Sequence, residues 1–168
     1  PGSTVAVFGC GGVGLSAIQG ARLVGARRII AVDMLESKLG YARHFGATHT
    51  VLAGDDAVAT VKEMSEGWGV DYSFEVTGKP AVMEQAYAAT RRGGTVCVIG
   101  IGHYTENFPL NACGFAADAK TVIGCMYGNA NFRVDMPNLL ELYLARRLDL
   151  DAMITRTHAI DDAPQAVD

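Results

Sequence analysis

The chain predicts an α/β fold: a doubly wound, parallel, six-stranded sheet in the order 3-2-1-4-5-6. Three observations carry this. Strand-like and helix-like segments alternate along nearly the whole chain, the pattern of βαβ units. Glycines spaced G-x-G-x-x-G, at Gly9, Gly11 and Gly14, directly follow the first apolar run. A carboxylate, Asp33, closes the second run, 19 residues after Gly14.

The elements follow in order. Strand 4–9 is the β-branched and aromatic run Val5 to Phe8. Helix 13–25 places Val13, Ala17, Ala21 and Val24 at helical spacing, one stripe to bury on the sheet, and Gly25 ends it. Strand 28–33 is Arg28-Ile-Ile-Ala-Val32 with Asp33 at its end. Helix 36–45 carries Glu36, Ser37 and Lys38 in its first turn and stops at Gly46. Strand 49–52 and helix 55–66 follow. Strand 70–76, Val70-Asp-Tyr-Ser-Phe-Glu-Val76, leads to helix 80–91, which opens on Pro80, a residue well suited to a first helical turn, and gives way at Gly93-Gly94. Strand 94–100 contains Thr95-Val-Cys-Val-Ile99. Strand 121–127 and helix 134–147 complete two β-α-β-α-β halves, the organisation of the Rossmann fold. Residues 149–168 form a separate tail, with Asp161 or Asp162 as a helix cap and Pro164 in the first turn after it. The domain reading is therefore 1–148 and 149–168.

Composition agrees with one globular α/β body. The chain has 168 residues, 49% hydrophobic and 19% charged, and no apolar run long enough to span a bilayer. A chain of this length buries roughly 70% of its unfolded surface, enough for a core without covalent staples. The net charge of −4 and the scattered Lys and Arg argue against a nucleic-acid partner. Cys10, Cys97, Cys113 and Cys125 fall singly, without the C-x-x-C spacing of a zinc knuckle or redox pair. They read as buried thiols of a cytoplasmic protein. The chain opens at Pro1-Gly2-Ser3 without an initiating Met or a signal-like segment, so a piece of a longer protein is expected.

Each fingerprint glycine has a mechanical task. Gly9 lets the chain turn sharply, Gly11 lets backbone approach a pyrophosphate, and Gly14 lets helix meet strand. The following helix points unsatisfied N–H groups and its positive dipole end at the phosphates. Asp33 sits where a carboxylate accepts from both hydroxyls of an adenosine ribose. A 2′-phosphate ~4 Å from it would meet up to about 4 kcal/mol of repulsion at an effective dielectric near 20, less with solvent exposure. The pattern implies a dinucleotide grip and NAD over NADP. In such sheets ligands lie outside the carboxyl ends of the strands, at the switch point between strands one and four. Adenosine then belongs near Asp33 and Met34, and nicotinamide near Thr77, Ile99, Gly100 and Ile101.

These residues together resemble a family. Phe8-Gly-Cys-Gly-Gly-Val-Gly-Leu15, Ile29-Ile-Ala-Val-Asp33 with Lys38, Gly46-Ala47-Thr48, Val70-Asp-Tyr-Ser-Phe-Glu-Val-Thr-Gly78 and Arg92-Gly-Gly-Thr95 are similar to the zinc-dependent medium-chain alcohol dehydrogenases. The similarity is strongest to the class III, glutathione-dependent formaldehyde dehydrogenase branch, and it covers nearly the whole chain. It implies that Gly11, Gly12 and Val13 offer backbone to the pyrophosphate and that Asp33 and Lys38 hold the adenosine ribose. It further implies that Val76 and Thr77 flank the path from adenine to nicotinamide. Backbone at Ile99, Ile101 and Cys125 would hold the carboxamide. Where the family often has Arg, this chain has Lys79: the cation is kept, the planar fork is not.

The resemblance also implies an alcohol or aldehyde substrate, or S-hydroxymethylglutathione, oxidised by hydride transfer to NAD. It implies pairing of two copies through the edge strand near Thr121 to Tyr127. The family's zinc ligands belong to an N-terminal catalytic lobe that is not among these residues, and no pair among His44, His49, His103 and His158 has ligand spacing with a cysteine. No metal and no catalytic residue is expected here, so the chain alone is expected to bind NAD without turning over substrate. The tail 149–168, which in the family returns to the catalytic lobe, is expected to fray or to contact another copy.

Other polar residues read more plainly. His44 late in a helix fits the dipole, as do Arg91-Arg92 and Arg146-Arg147 at helix ends. His103, just beyond strand five, sits in a loop that could face substrate. Glu75, inside strand four, reads either as a general acid or as a carboxylate held in structural hydrogen bonds. Two alternatives remain at this point: a stand-alone NAD-sensing module that gates a partner, and a methyltransferase. The latter usually ends its first strand with a carboxylate, where Ala6-Val7-Phe8 is wholly apolar.

Overall fold

The computed structural model describes residues 1–164. The chain falls into two compact units, Pro1–Phe132 and Arg133–Asp168.

The first unit is built on a six-stranded parallel sheet in the order β3-β2-β1-β4-β5-β6, as the alternation of segments predicts. Its strands are β1 (Thr4–Phe8), β2 (Arg28–Asp33), β3 (His49–Leu52), β4 (Val70–Glu75), β5 (Thr90–Val98) and β6 (Thr121–Gly124). Its helices are α1 (Gly12–Leu23), α2 (Glu36–Phe45), α3 (Ala57–Met64), α4 (Pro80–Ala89) and α5 (Ala112–Asp118). β1 is buried along its whole length because helices cover both of its faces, which is why the run is continuously apolar rather than alternating. On one face Ala6, Phe8, Ile30, Val32 and Val96 form a core with Ala57 and Val61 of α3 and Ala86 and Ala89 of α4. Ile18 of α1 and Leu39 and Ala42 of α2 are fully buried as well. Truncating such a residue, Ile30→Ala for example, costs about 2–5 kcal/mol.

The structure corrects several boundaries. α4 stops at Ala89 rather than 91, and β5 begins at Thr90 rather than 94. Thr90 makes the break: its hydroxyl donates to the Ala86 carbonyl at 2.8 Å and bonds Ser73 Oγ at 2.7 Å, while its backbone turns extended. Arg91 and Arg92 therefore lie in an irregular strand, not at a helix end. Arg91 Nε donates to Asp71 Oδ1 at 2.6 Å and Arg92 Nη2 to the Ala117 carbonyl at 2.6 Å, so ion pairing and backbone contacts replace the expected dipole role. β6 ends at Gly124, not 127, because Tyr127–Asn129 curls into a 3-10 turn whose residues all have positive φ. α5 is an element the sequence reading lacks. It is short, capped by Asn111 Oδ1 accepting from Gly114 N at 2.7 Å, and buries no residue that would mark it by periodicity.

The second unit contains α6 (Phe132–Leu144), which starts at the boundary, two residues earlier than expected. Arg146 and Arg147 follow its end and close it, their N–H groups donating to the Tyr143 and Leu142 carbonyls at 2.8 Å. Tyr143 Oη donates to Asp151 Oδ1 at 2.9 Å, tying the next segment back to the helix. A 3-10 turn spans Ile160–Asp162, and the continuation of the helix expected after Pro164 lies outside the described residues.

Candidate coenzyme site

The carboxyl ends of β1, β2, β4 and β5 converge on the glycine-rich turn. Gly9 has φ +103°, and a Cβ there would sit 2.8 Å from Thr77 Cγ2 and 2.9 Å from Val76 Cγ2, so the turn is open to no other residue. Gly14 meets the strand directly: a Cβ on it would lie 1.9 Å from the Gly9 carbonyl oxygen. Gly11 and Gly12 differ, because nothing among the described residues stands within 4 Å of a Cβ at either position. No side chain among the described residues caps α1, and no acid stands in its first turn. Its first N–H groups and dipole thus face an open cradle the size of backbone alone, which suits an anion.

Asp33 stands beside this cradle, nine-tenths buried. Its Oδ2 accepts the Cys10 N–H at 2.7 Å and its Oδ1 the Leu35 N–H at 3.0 Å. Each oxygen keeps a second lone pair for a further donor. Burial, followed by the charge of Asp33, pushes the Cys10 thiol up to about 12, so this cysteine inside the fingerprint is a neutral packing group.

Two concavities flank the turn. The first, about 330 Å³, is lined by Gly9, Asp33, Met34, Lys38 and Thr77 among the candidates, with Lys79 at its rim. The second, about 660 Å³, is a long groove between α1 and the sheet that runs from Pro1, Ser3 and Ala26 at the amino end of β1 to Val13, Ile99 and Cys125 at the carboxyl ends. Gly11, Gly12 and Gly14 lie in the turn and helix start between these groups. Val76 closes on Gly9, and Gly100 and Ile101 press on Gly78, where a Cβ would meet the Ile101 carbonyl oxygen at 2.4 Å. Ile101 itself is 77% exposed and lines neither concavity.

Leu35, Ala53, Val82 and Gln85 also line the first cleft and were not among the sequence candidates. Ala53 follows β3, so the rule of strand carboxyl ends could have found it. Val82 and Gln85 reach the cleft from α4 only because of how that helix lies on the sheet. His103 is exposed beyond β5, its Nδ1 bonded to Thr105 Oγ1 at 2.7 Å and its ring stacked on Tyr104 at 4.7 Å. His44 stands edge-on to Phe45 in the last turn of α2. Among the described residues, no three His, Cys, Asp or Glu side chains converge as a metal ion requires. No described helix is long and apolar enough to cross a membrane.

The sequence profile of the family described as zinc-binding dehydrogenase matches residues 12–145. Alcohol dehydrogenase 1 of Zea luxurians is 39% identical over 171 residues, covering 99% of this chain and 58% of that protein. The probable S-(hydroxymethyl)glutathione dehydrogenase 1 of Schizosaccharomyces pombe is 36% identical over 170 residues, 99% of this chain and 44% of its own. Among solved structures, benzyl alcohol dehydrogenase from Acinetobacter calcoaceticus superposes with a TM-score of 0.93 at 32% identity, covering 99% of this chain and 46% of that one. The chain spans about half the length of the curated relatives it matches.

Proposed function

The chain belongs to the zinc-binding dehydrogenase family, and from that premise we propose that residues 1–148 are the NAD-binding domain of an alcohol dehydrogenase, with 149–168 returning toward a catalytic domain. The observation that carries this is the open cradle at Gly11 and Gly12 joined to Asp33 through the Cys10 N–H.

In this reading the N–H groups of Gly11, Gly12 and Val13 hold the pyrophosphate, and Gly9 and Gly14 give the turn its shape. Asp33, with Lys38 and Met34 beside it, takes the adenosine ribose in the first cleft, its spare lone pairs accepting hydroxyls and its charge opposing a 2′-phosphate. Val76 and Thr77 flank the path from this cleft toward the nicotinamide, which Ile99 and Cys125 of the second concavity, with Gly100 and Ile101 of the loop after β5, would orient. NAD, when bound, supplies the hydride acceptor. The substrate class is primary alcohols or S-hydroxymethylglutathione, supported by the names of the relatives. Polarising that substrate falls to residues outside this chain, as does zinc, so the chain alone binds NAD without turnover.

Two further features belong to the proposal. The exposed β6 edge, with Val122 and Ile123, leaves backbone groups that a second copy would pair, giving a homodimer. Light scattering that finds a monomer ends that part. Four unbridged cysteines support the reducing environment of the cytoplasm. The central test is calorimetric titration with NADH, NADPH and S-adenosylmethionine. NADH is expected to bind alone; equal affinity for NADPH, or binding of S-adenosylmethionine, overturns the assignment.

A further inference from the structure

Glu75, the last residue of β4, has no exposed surface. Its Oε1 accepts the Thr77 N–H at 2.7 Å, the Thr77 hydroxyl at 2.5 Å and the Gly78 N–H at 3.0 Å, and its Oε2 lies 3.3 Å from the Gly78 nitrogen. Among the described residues no Lys or Arg is paired with it. A carboxyl group taken out of water without a cation is costly. What the group gains is a grip on three loops at once. Through Thr77 it sets the methyl that covers Gly9, 2.8 Å from where a Cβ would stand. Through Gly78 it sets the surface on which the Ile101 carbonyl rests, and its Oε2 fills the space where a Cβ on Gly100 would come within 2.8 Å. The Glu75 carbonyl adds bonds from Ile99 N at 2.8 Å and Gly100 N at 3.0 Å.

Resting on the NAD reading above, we infer that Glu75 is the positioning residue of this site: its carboxylate holds the turn 76–78 in the form that joins the adenosine-side cleft to the nicotinamide-side concavity. It touches neither half of the coenzyme. It acts through Thr77, a residue of the first cleft, and through Gly78, against which the β5 loop is laid. A glutamine of the same shape cannot replace it. With Oε1 kept on its donors, the amide nitrogen would face the Gly78 N–H, donor against donor, and the turn must shift.

The test uses Glu75→Gln and Thr77→Val, the latter removing the hydroxyl bond while keeping a methyl over Gly9. NADH affinity is measured by calorimetry, and amide hydrogen exchange at Thr77 and Gly78 by NMR against core amides of β1. Glu75→Gln is expected to weaken NADH about tenfold and speed exchange at Thr77 and Gly78 while β1 amides keep their protection. Thr77→Val is expected to move both readouts the same way by less, and the double variant to fall short of the sum. Unchanged NADH affinity in Glu75→Gln, or exchange raised evenly across the sheet, overturns the inference. Should Glu75→Gln fail to fold, Thr77→Val with unaltered affinity and exchange does the same. An unaltered chain silent toward NADH overturns the coenzyme reading itself, a result distinct from either.

Discussion

The carboxylate of Asp33 accepts the backbone N–H of Cys10 at 2.7 Å, so the residue proposed to take the ribose also fastens the glycine turn. Asp33→Ala leaves the buried Cys10 N–H without a partner, and about 1–3 kcal/mol of stability is expected to go with it. Asp33→Asn keeps an acceptor but loses the charge, so stability should fall less while the preference for NADH over NADPH narrows. Denaturant unfolding and paired titrations check this. An Asp33→Ala chain as stable as the original would show that the turn holds itself.

Gly12 and Gly14 are two residues apart and should respond oppositely to alanine. At Gly14 the new methyl would lie 1.9 Å from a backbone oxygen that cannot move aside cheaply, so about 1–3 kcal/mol of destabilisation or more is expected. At Gly12 nothing stands within 4 Å, so the fold should be unharmed or gain up to about 1 kcal/mol of helix propensity. NADH binding should nevertheless weaken in Gly12→Ala, because the methyl occupies the cradle. Thermal melts beside calorimetry separate the two cases, and a Gly12→Ala chain with full NADH affinity would contradict the cradle.

Thiol reactivity should sort by burial. Desolvation pushes Cys10 up to about 12 and Cys97 up to about 11, whereas Cys113 is exposed. Iodoacetamide at neutral pH should label Cys113 first and reach Cys10 and Cys97 only on unfolding. Mass spectrometry of the labelled peptides reads the order; early labelling of Cys10 would mean that the fingerprint turn opens readily.

Asp71 ties the amino end of β4 to its neighbours. Partial burial pushes its carboxyl up, but the Thr4 N–H at 2.8 Å and the Arg91 guanidinium at 2.6 Å outweigh that and hold it below the usual carboxylate range. A carboxyl group lowered on folding contributes stability above its unfolded pKa and loses it as pH falls through the folded one. Unfolding free energy should therefore decline below about pH 4 less steeply in Asp71→Asn than in the original chain, with a cost of about 1–2 kcal/mol at neutral pH. Parallel acid slopes for the two chains would remove Asp71 from the account.

Much of this molecule is local information. The alternation of apolar runs with helical stripes, together with a βαβ rule that permits few topologies, leads from residues to the sheet order without any long-range contact being known. The three fingerprint glycines and Asp33 are legible for the same reason: each answers a backbone requirement at a fixed offset from a strand end. What the sequence does not carry is set by groups distant along the chain. Thr90 ends α4 because Ser73 waits for its hydroxyl, and Arg91 leaves the helix-end role because Asp71 stands on the neighbouring strand. Glu75 reads equally as an acid or a strut until folding buries it beneath Thr77 and Gly78 and brings Gly100 against it. Periodicity and spacing determine which elements form and in what order they lie; only packing decides which polar atoms meet, because a hydrogen bond depends on tenths of an ångström that no local pattern records.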